Sequence, residues 1–272
     1  MNDFRLLVHP PASGAWNMAA DEAILESVGL NESPPTIRLY AWDPPCLSLG
    51  FAQSINDVDL DALADNGWGL VRRMTGGKAI LHADELTYSI IAPHQEYLVS
   101  GNLLESYHRI AKGLLKTLEL LGVDAEINTS HNQVNSNRSG AICFEVPSAF
   151  EITFQGKKLI GSAQARRKQG VLQHGSLPLN GDLGRIIKIL SFSDNNIRDE
   201  SIARLMDHAI NLEMITGFSM ERETVARTFI NAFQSELGLK LLPGELALKE
   251  KERITELIRS KYTHSVWTER VT

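Results

Sequence analysis

Three segments near the middle of the chain, 149–155, 158–166 and 171–179, are rich in aliphatic residues and separated only by short polar turns at 156–157 and 167–170. Turns that short cannot carry a chain across a sheet. They fold it back on itself, so the segments must lie side by side as antiparallel strands. That requirement narrows the fold before anything else is read. Further strand patterns lie upstream at 3–9, 36–42, 46–51, 69–74, 78–81 and 86–92, with 69–74 and 78–81 joined across 75–77. A helix is expected at 15–28, where Trp16, Ala19, Ala20, Ala23, Ile24 and Leu25 share a face, and a short acidic one at 57–64. The clearest amphipathic helix is 103–121, on which Leu104, Ile110, Leu114, Leu115, Leu118 and Leu121 recur at helical spacing. From 182 onward the pattern is helical, at 182–190, 199–208, 220–237 and 243–261, broken after Gly238 by a short strand at 239–242. Strands and helices are partly segregated, so the expected class is α+β: a mixed or antiparallel β-sheet core, flanking helices and a helical C-terminal region.

Composition excludes several function classes. A chain of 272 residues, 43% hydrophobic and 22% charged, can bury its own core. Its net charge of −6 argues against a nucleic-acid or membrane-surface binder held by bulk positive charge. Two cysteines, Cys46 and Cys143, make neither a disulfide framework nor a structural zinc site, which points to a reducing cytoplasm. The opening residues lack the apolar stretch of a signal peptide, and no run approaches the ~18 apolar residues of a membrane span. The N-x-Ser/Thr triplets at Asn128 and Asn137 therefore carry no weight as glycosylation sites.

Four clusters carry chemistry-bearing residues. The first is 72–82, where Arg72 and Arg73 end a strand and Thr75, Gly76 and Gly77 form a turn before Lys78 and His82. Glycines let a backbone approach a ligand closely, and arginines are permanent planar donors. A solvated hairpin would read the same way. It is not a Walker loop, because no G-x-x-x-x-G-K-[ST] is present. The second is 140–148, where Cys143 stands at the point at which a polar loop (128–140) re-enters an apolar segment. Such a junction suits a nucleophile, although most unpaired cysteines are small buried hydrophobes, as Cys46 is expected to be. The third is 156–164, where Gly161, Ser162 and Ala163 leave room beside a strand carrying Lys157 and Lys158. The fourth is Gln173, His174, Gly175 and Ser176 on the next strand, with His174 either a ligand or a core histidine.

A mechanism joins the second and third clusters. A free thiol of pKa ~8.5 is only about 3% thiolate at pH 7. A neighbouring ammonium raises that fraction, and a lysine–cysteine pair is competent for acyl transfer. Fifteen positions separate Cys143 from Lys158, enough for one strand and a turn to set them side by side. His82, His131 and His174 stay open as alternative bases.

These clusters, in this order, resemble the lipoate/octanoate transferase branch of the biotin–lipoate protein ligase superfamily. The matching stretches are RRMTGGKAILHADELTYSI (72–90), CFEVPSAFEI (143–152), GKKLIGSAQARR (156–167) and LQHGSLPL (172–179), with NMAADEAIL (17–25) and PPCLSLGFAQ (44–53) upstream. The resemblance covers roughly residues 1–265 and implies a catalytic core over 1–215 with a C-terminal helical extension, 216–272, packed on it. It implies Cys143 as nucleophile and Lys158 as the group that lowers its pKa. Arg72, Arg73, Thr75, Gly76, Gly77, His82, Gly161, Ser162, Ala163, His174 and Gly175 are the expected substrate-binding residues.

Within that family the pattern is most similar to the octanoyl-[acyl carrier protein]:protein N-octanoyltransferases. ATP-dependent lipoate ligases carry a third glycine where Lys78 stands and a Gly-Asn where Glu85-Leu86 stands, and they need no cysteine at 143. The resemblance thus implies a cytoplasmic, monomeric acyltransferase with no metal and no cofactor. Octanoyl-acyl carrier protein would be the donor, and lipoyl-domain proteins such as glycine cleavage H protein the acceptors. An amidotransferase taking octanoyl from H protein, an ATP-dependent lipoate ligase and a non-catalytic lipoyl-domain binding module are the alternatives. In the expected ping-pong cycle Cys143 takes the acyl group, and an acceptor lysine amine then attacks the thioester. Backbone N–H groups near 76–77 or 162–163 would hold the oxyanion. Both expected partners are acidic. Arg72, Arg73, Lys157, Arg166, Arg167 and Lys168 are the expected basic patch that would receive them.

Overall fold

The computed structural model describes residues 3–128 and 151–271. The chain opens with β1 (Asp3–Val8) and α1 (Gly14–Gly29), whose start is fixed by Ser13 accepting from the Trp16 amide. β2 (Thr36–Tyr40) and β3 (Cys46–Leu49) are buried along their length. A short α2 (Leu60–Asp65), capped by Asp59, leads to β4 (Gly69–Arg72), β5 (Ile80–His82) and β6 (Glu85–Ala92). α3 (Leu103–Leu120) begins with a capping box between Asn102 and Glu105. β7 (Glu126–Ile127), β8 (Ile152–Phe154), β9 (Lys157–Arg167) and β10 (Gly170–Pro178) follow. The expected helix at 182–190 is a 3-10 turn, Leu183–Ile189. The remainder is α4 (Asn195–His208), α5 (Leu212–Thr216), α6 (Arg222–Leu237), β11 (Lys240–Pro243), α7 (Leu248–Leu257) and α8 (Ser265–Thr268). No helix among the described residues is long and apolar enough to cross a membrane.

The strands form an eight-stranded mixed sheet, ordered β11-β1-β2-β6-β10-β9-β8-β7, and a three-stranded sheet, β4-β3-β5. β11, β1 and β2 are mutually parallel; the rest of the large sheet is antiparallel. The expected meander is present, β8 to β9 to β10. The expected α+β architecture with a mixed sheet and C-terminal helices is the one observed.

One expectation is corrected. Segments 69–74 and 78–81 do not form a hairpin with each other. β4 pairs parallel with β3 and β5 pairs antiparallel with it, so β3 lies between them. The chain at 73–79 therefore crosses over the end of β3 instead of turning tightly. It passes so close that a Cβ placed on Gly50 would lie 1.8 Å from the Gly77 carbonyl oxygen, and Gly77 itself has φ +92°. Gly50 is required by this backbone-on-backbone contact, and Gly77 by its positive φ.

Two helical layers sandwich the large sheet. On one face Ile110, Leu114 and Leu118 of α3 and Val225, Phe229 and Phe233 of α6 pack on Ile37, Leu39, Tyr88 and Ile90. On the other, Ile24, Leu25 and Val28 of α1 cover Leu7, Ile91 and Leu172. α7 and the residues after it pack on the outer side of α1. The small sheet has its own core with α2, the 3-10 turn and α4, built on Leu47, Leu49, Ile186 and Leu205.

Candidate active site

A cavity of about 350 Å³ opens where the two sheets meet, within the range of small-ligand sites. The register of the meander builds one wall. His174 on β10 lies opposite Ala163 on β9, and Gly175 opposite Ser162. Gly161, Ser162, Ala163, His174 and Gly175 all line the space, as do Arg73, Gly76, Gly77 and His82 from the small-sheet side. A Cβ on Gly175 would meet the Tyr88 ring at 2.5 Å and the Ser162 hydroxyl at 2.6 Å, so only glycine fits there. Behind it the Tyr88 hydroxyl bonds Ser162 Oγ (2.8 Å) and accepts from Gln173 Nε2 (3.1 Å). Met18, Tyr40, Trp42 and Ile80 supply apolar surface.

Two buried hydroxyl–imidazole–carboxylate chains end at this cavity. In the first, Ser48 Oγ is 2.7 Å from His82 Nε2, and His82 Nδ1 is 2.7 Å from Glu85 Oε1. Trp42 stacks on the His82 ring with centroids 3.9 Å apart and donates its indole N–H to Thr87 Oγ1 at 2.7 Å. Thr87 and Ser176 donate their hydroxyls to Glu85. Burial opposes ionisation of Glu85, but His82 and these hydroxyls outweigh it and hold the carboxyl below its ordinary range.

In the second chain, Thr75 Oγ1 is 2.7 Å from His174 Nε2, and His174 Nδ1 faces Asp21 Oδ2 at 3.5 Å. Asp21 is shared. Arg38 Nη1 donates to it at 2.8 Å, Tyr40 at 3.0 Å and Ser89 at 2.9 Å. Burial would raise the Asp21 carboxyl, but Arg38 and His174 hold it below the usual carboxylate range. Burial lowers the His174 imidazole pKa despite Asp21. Thr75 is itself fully buried and reaches the cavity only through His174.

The two arginines do different work from that expected. Arg72 lies away from the cavity, and its guanidinium donates to the carbonyls of Gly50 (2.8 Å), Gln53 (2.6 Å) and Thr268 (2.7 Å). It ties β4 to the turn after β3 and to α8. Arg73 lines the cavity and shapes it. It donates to Ser48 O (2.9 Å) and Ser48 Oγ (3.0 Å) with one nitrogen, and to Gly76 O (2.9 Å) and Lys78 O (2.8 Å) with the other. Both are buried, which removes them from the expected surface patch.

Lys158 is fully buried on β9 and donates through Nζ to Glu151, which lines the cavity. The expected nucleophile, Cys143, and His131 lie outside the described residues, as does the expected polar loop beyond Asn128. Cys46 is buried between Gly14 and Gly69, and burial pushes its thiol up to about 12. Its packing role matches the expectation.

Sequence reasoning did not single out Ser48, Glu85, Asp21 or Glu151. The available signal was an acid inside an otherwise apolar run. Asp21 follows Met18-Ala19-Ala20 on the buried side of α1, and Glu85 opens a strand whose every residue is buried. Such an acid must have a partner, because an unpaired buried charge is very costly.

This arrangement, a mixed sheet with a polar cavity against a Gly-Gly crossover, belongs to a defined family. Residues 13–234 match the model of the lipoyl protein ligase A/B catalytic domain, and the chain is a member of that family. It is 39% identical to an octanoyltransferase LipM of Kyrpidia tusciae over 99% of this chain and 100% of that protein. It is 41% identical to an octanoyltransferase LipM of Moorella thermoacetica over 98% of each. Among solved structures it resembles that of a bi-partite lipoate protein ligase, described with its E2 lipoyl domain, from Thermoplasma acidophilum. The TM-score is 0.82 at 24% identity, covering 100% of this chain and 98% of that one.

Proposed function

We propose that this chain is an octanoyltransferase of protein lipoylation. It moves an octanoyl group from the thioester of an acyl carrier protein to the ε-amine of a lysine on a lipoyl domain, such as that of glycine cleavage H protein. The observation that carries this is near full-length similarity to proteins named octanoyltransferase LipM. Cys143 carries the acyl group between donor and acceptor. Lys158 stabilises its thiolate, within residues 1–215 as the catalytic core, and 216–272 serve as the extension.

The physical chemistry supports the assignment. Exchange of one thioester for another is nearly isoergic, and thioester to amide is downhill, so the transfer runs without ATP. Lys158 starts the cycle as a buried ammonium held by Glu151, a geometry that fixes its charge on β9. The octanoyl tail is accommodated by the apolar part of the cavity, worth at most roughly 5 kcal/mol at ~0.8 kcal/mol per buried CH₂. The T. acidophilum ligase is described with a lipoyl domain, which supports that class of acceptor here.

Intact-mass spectrometry after mixing with octanoyl-acyl carrier protein tests the reading. The expected result is one octanoyl adduct on Cys143, absent in Cys143→Ala, with transfer to a lipoyl domain lost in that variant. Full transfer by Cys143→Ala would sink it. Transfer that requires ATP and free lipoate would assign an ATP-dependent ligase instead, and octanoyl-H protein as the only competent donor would assign the amidotransferase.

A further inference from the structure

The acceptor in the proposed reaction is a primary amine, held as an ammonium at neutral pH. Three protons sit on its nitrogen and the amide keeps one. One proton must leave before attack and a second as the amide forms. Of the two hydroxyl–imidazole chains at the cavity, only one is built to take a proton and hold the resulting charge.

We propose that Ser48, His82 and Glu85 form the proton relay that serves the acceptor amine, with Ser48 touching the amine, His82 receiving the proton and Glu85 positioning and stabilising the imidazolium. The inference rests on the acyl-transfer reading of the site and extends it to residues that the reading leaves without a catalytic task.

The hydrogen-bond directions are dictated by neighbours. Arg73 Nη1 donates to Ser48 Oγ and the Glu85 carboxylate can only accept, so in the base form of the relay, with a neutral ring, the Ser48 hydrogen points at His82 Nε2. His82 must then carry its hydrogen on Nδ1, where it donates to Glu85. The unprotonated nitrogen thus faces Ser48, which lines the cavity, as the relay requires. The Trp42 face lies against the ring at 3.9 Å, which fixes its plane.

Charge separates this chain from its neighbour. Among the described residues, apart from His82, the Glu85 carboxylate accepts only from two neutral hydroxyls, Thr87 and Ser176. Its negative charge is available to an imidazolium. Asp21 is already neutralised by Arg38 at 2.8 Å, and its gap to His174 is 3.5 Å against 2.7 Å for Glu85 to His82. The Thr75–His174–Asp21 chain is therefore a scaffold for the cavity wall, and the Ser48–His82–Glu85 chain is the relay.

The step balances. The nitrogen of the acceptor attacks the acyl carbon, the C–N bond forms and the C–S bond breaks. Sulfur leaves as a thiolate, the form that Lys158 stabilises under the proposed function. Before attack, one ammonium proton passes to Ser48 Oγ as the Ser48 hydrogen moves to His82 Nε2, and solvent then recovers it; the second proton goes to solvent as the amide forms.

Hydroxylamine discriminates, because it is already largely neutral at pH 7 and needs no base before attack. Octanoyl transfer from a thioester donor is followed at the acceptor, above the enzyme-free rate, with a lipoyl domain and separately with hydroxylamine. For His82→Gln the expected result is a fall of about 100-fold in kcat toward the lipoyl domain. KM should be little changed, and transfer to hydroxylamine should stay within about threefold of wild type. Glu85→Gln keeps an acceptor for the neighbouring hydroxyls and is expected to show the same selective loss, about tenfold. It keeps the test open if His82→Gln fails to fold. Equal losses toward both acceptors, or no loss toward the lipoyl domain, would overturn the relay. Both rates are read at the acceptor, so they stand whether or not the acyl group pauses on Cys143. A missing adduct in wild type would count against the covalent reading alone.

Discussion

The Lys158–Glu151 pair places the main electrostatic demand of the site on two side chains that are almost wholly out of water. A buried ion pair is weak evidence of stability, but removing one partner is strongly destabilising because it strands the other charge. Lys158→Met should therefore lower stability by about 3 kcal/mol, a fall in Tm of roughly 6–12 °C for a chain of this size. Adding Glu151→Gln should restore most of that loss while leaving octanoyl transfer undetected, since the ammonium is still missing. Thermal unfolding and transfer assays on the single and double variants check this. A double variant that regains activity would remove Lys158 from the chemistry. At this scale the sequence was half legible. Lys158 stood out as a lysine beside a strand with room next to it, and Gly175 as a glycine on a buried strand. Glu151 did not, because its partner is set by the offset between β8 and β9, and the register there shifts at an irregularity between Ile152 and Thr153.

Elements were more legible than their neighbours in space. The alternation at 158–166 and 171–179 reported real strands because both faces and both turns are encoded locally. β4 and β5 were legible as strands, yet their pairing was misread. Their common partner β3 lies more than twenty residues before either registers it, and no local signal announces a strand inserted between two sequence neighbours. β11 was likewise visible as a strand, but nothing local told that it extends the large sheet beside β1. The helix layer shows what such packing demands of a residue. Gly113 on α3 faces Phe233 so closely that a Cβ would lie 2.8 Å from the ring, which is fully buried and stacked on Phe229 at 3.9 Å. A side chain at a helical glycine gains up to ~1 kcal/mol of helix propensity. Overpacking against a ring that cannot yield costs about 1–3 kcal/mol. The second effect wins for a branched side chain, so Gly113→Val should lower Tm by roughly 2–10 °C. Gly113 lies well over a turn along α3 from Tyr107, the residue of that helix that lines the cavity, so KM for the donor should hold steady. A neutral or stabilising Gly113→Val would mean that α3 and α6 are not packed as described.

For the molecule as a whole, charge sets how partners arrive. A net charge of −6 must still receive a carrier protein that is itself acidic under the proposed function. The structure redistributes the cations expected to help. Arg72 and Arg73 are buried among carbonyls, and Lys157 reaches the Met206 carbonyl at 3.0 Å. What remains lies on one side. A second cavity of about 630 Å³ shares Gly76, Gly77, Lys78 and Gln164 with the first, and Arg166 and Arg167 also line it. Arg167 and Lys168 are exposed at the turn beside it, with Arg167 over the Phe51 ring. A carrier delivering its acyl arm through this cavity would bring its acidic surface against that turn. Reversing both charges, Arg167→Glu with Lys168→Glu, should raise KM for octanoyl-carrier protein about tenfold at low ionic strength, near 1.4 kcal/mol. The effect should shrink as added salt shortens the Debye length toward ~8 Å and below. A small octanoyl thioester that lacks the carrier meets none of this surface, so its kcat/KM should change by less than about twofold. Arg167 also donates to the Met74 carbonyl at 3.0 Å, so thermal unfolding must show the variant folded before its kinetics are read. A KM for the carrier that ignores both the reversal and the salt would place the docking surface on another face of the molecule.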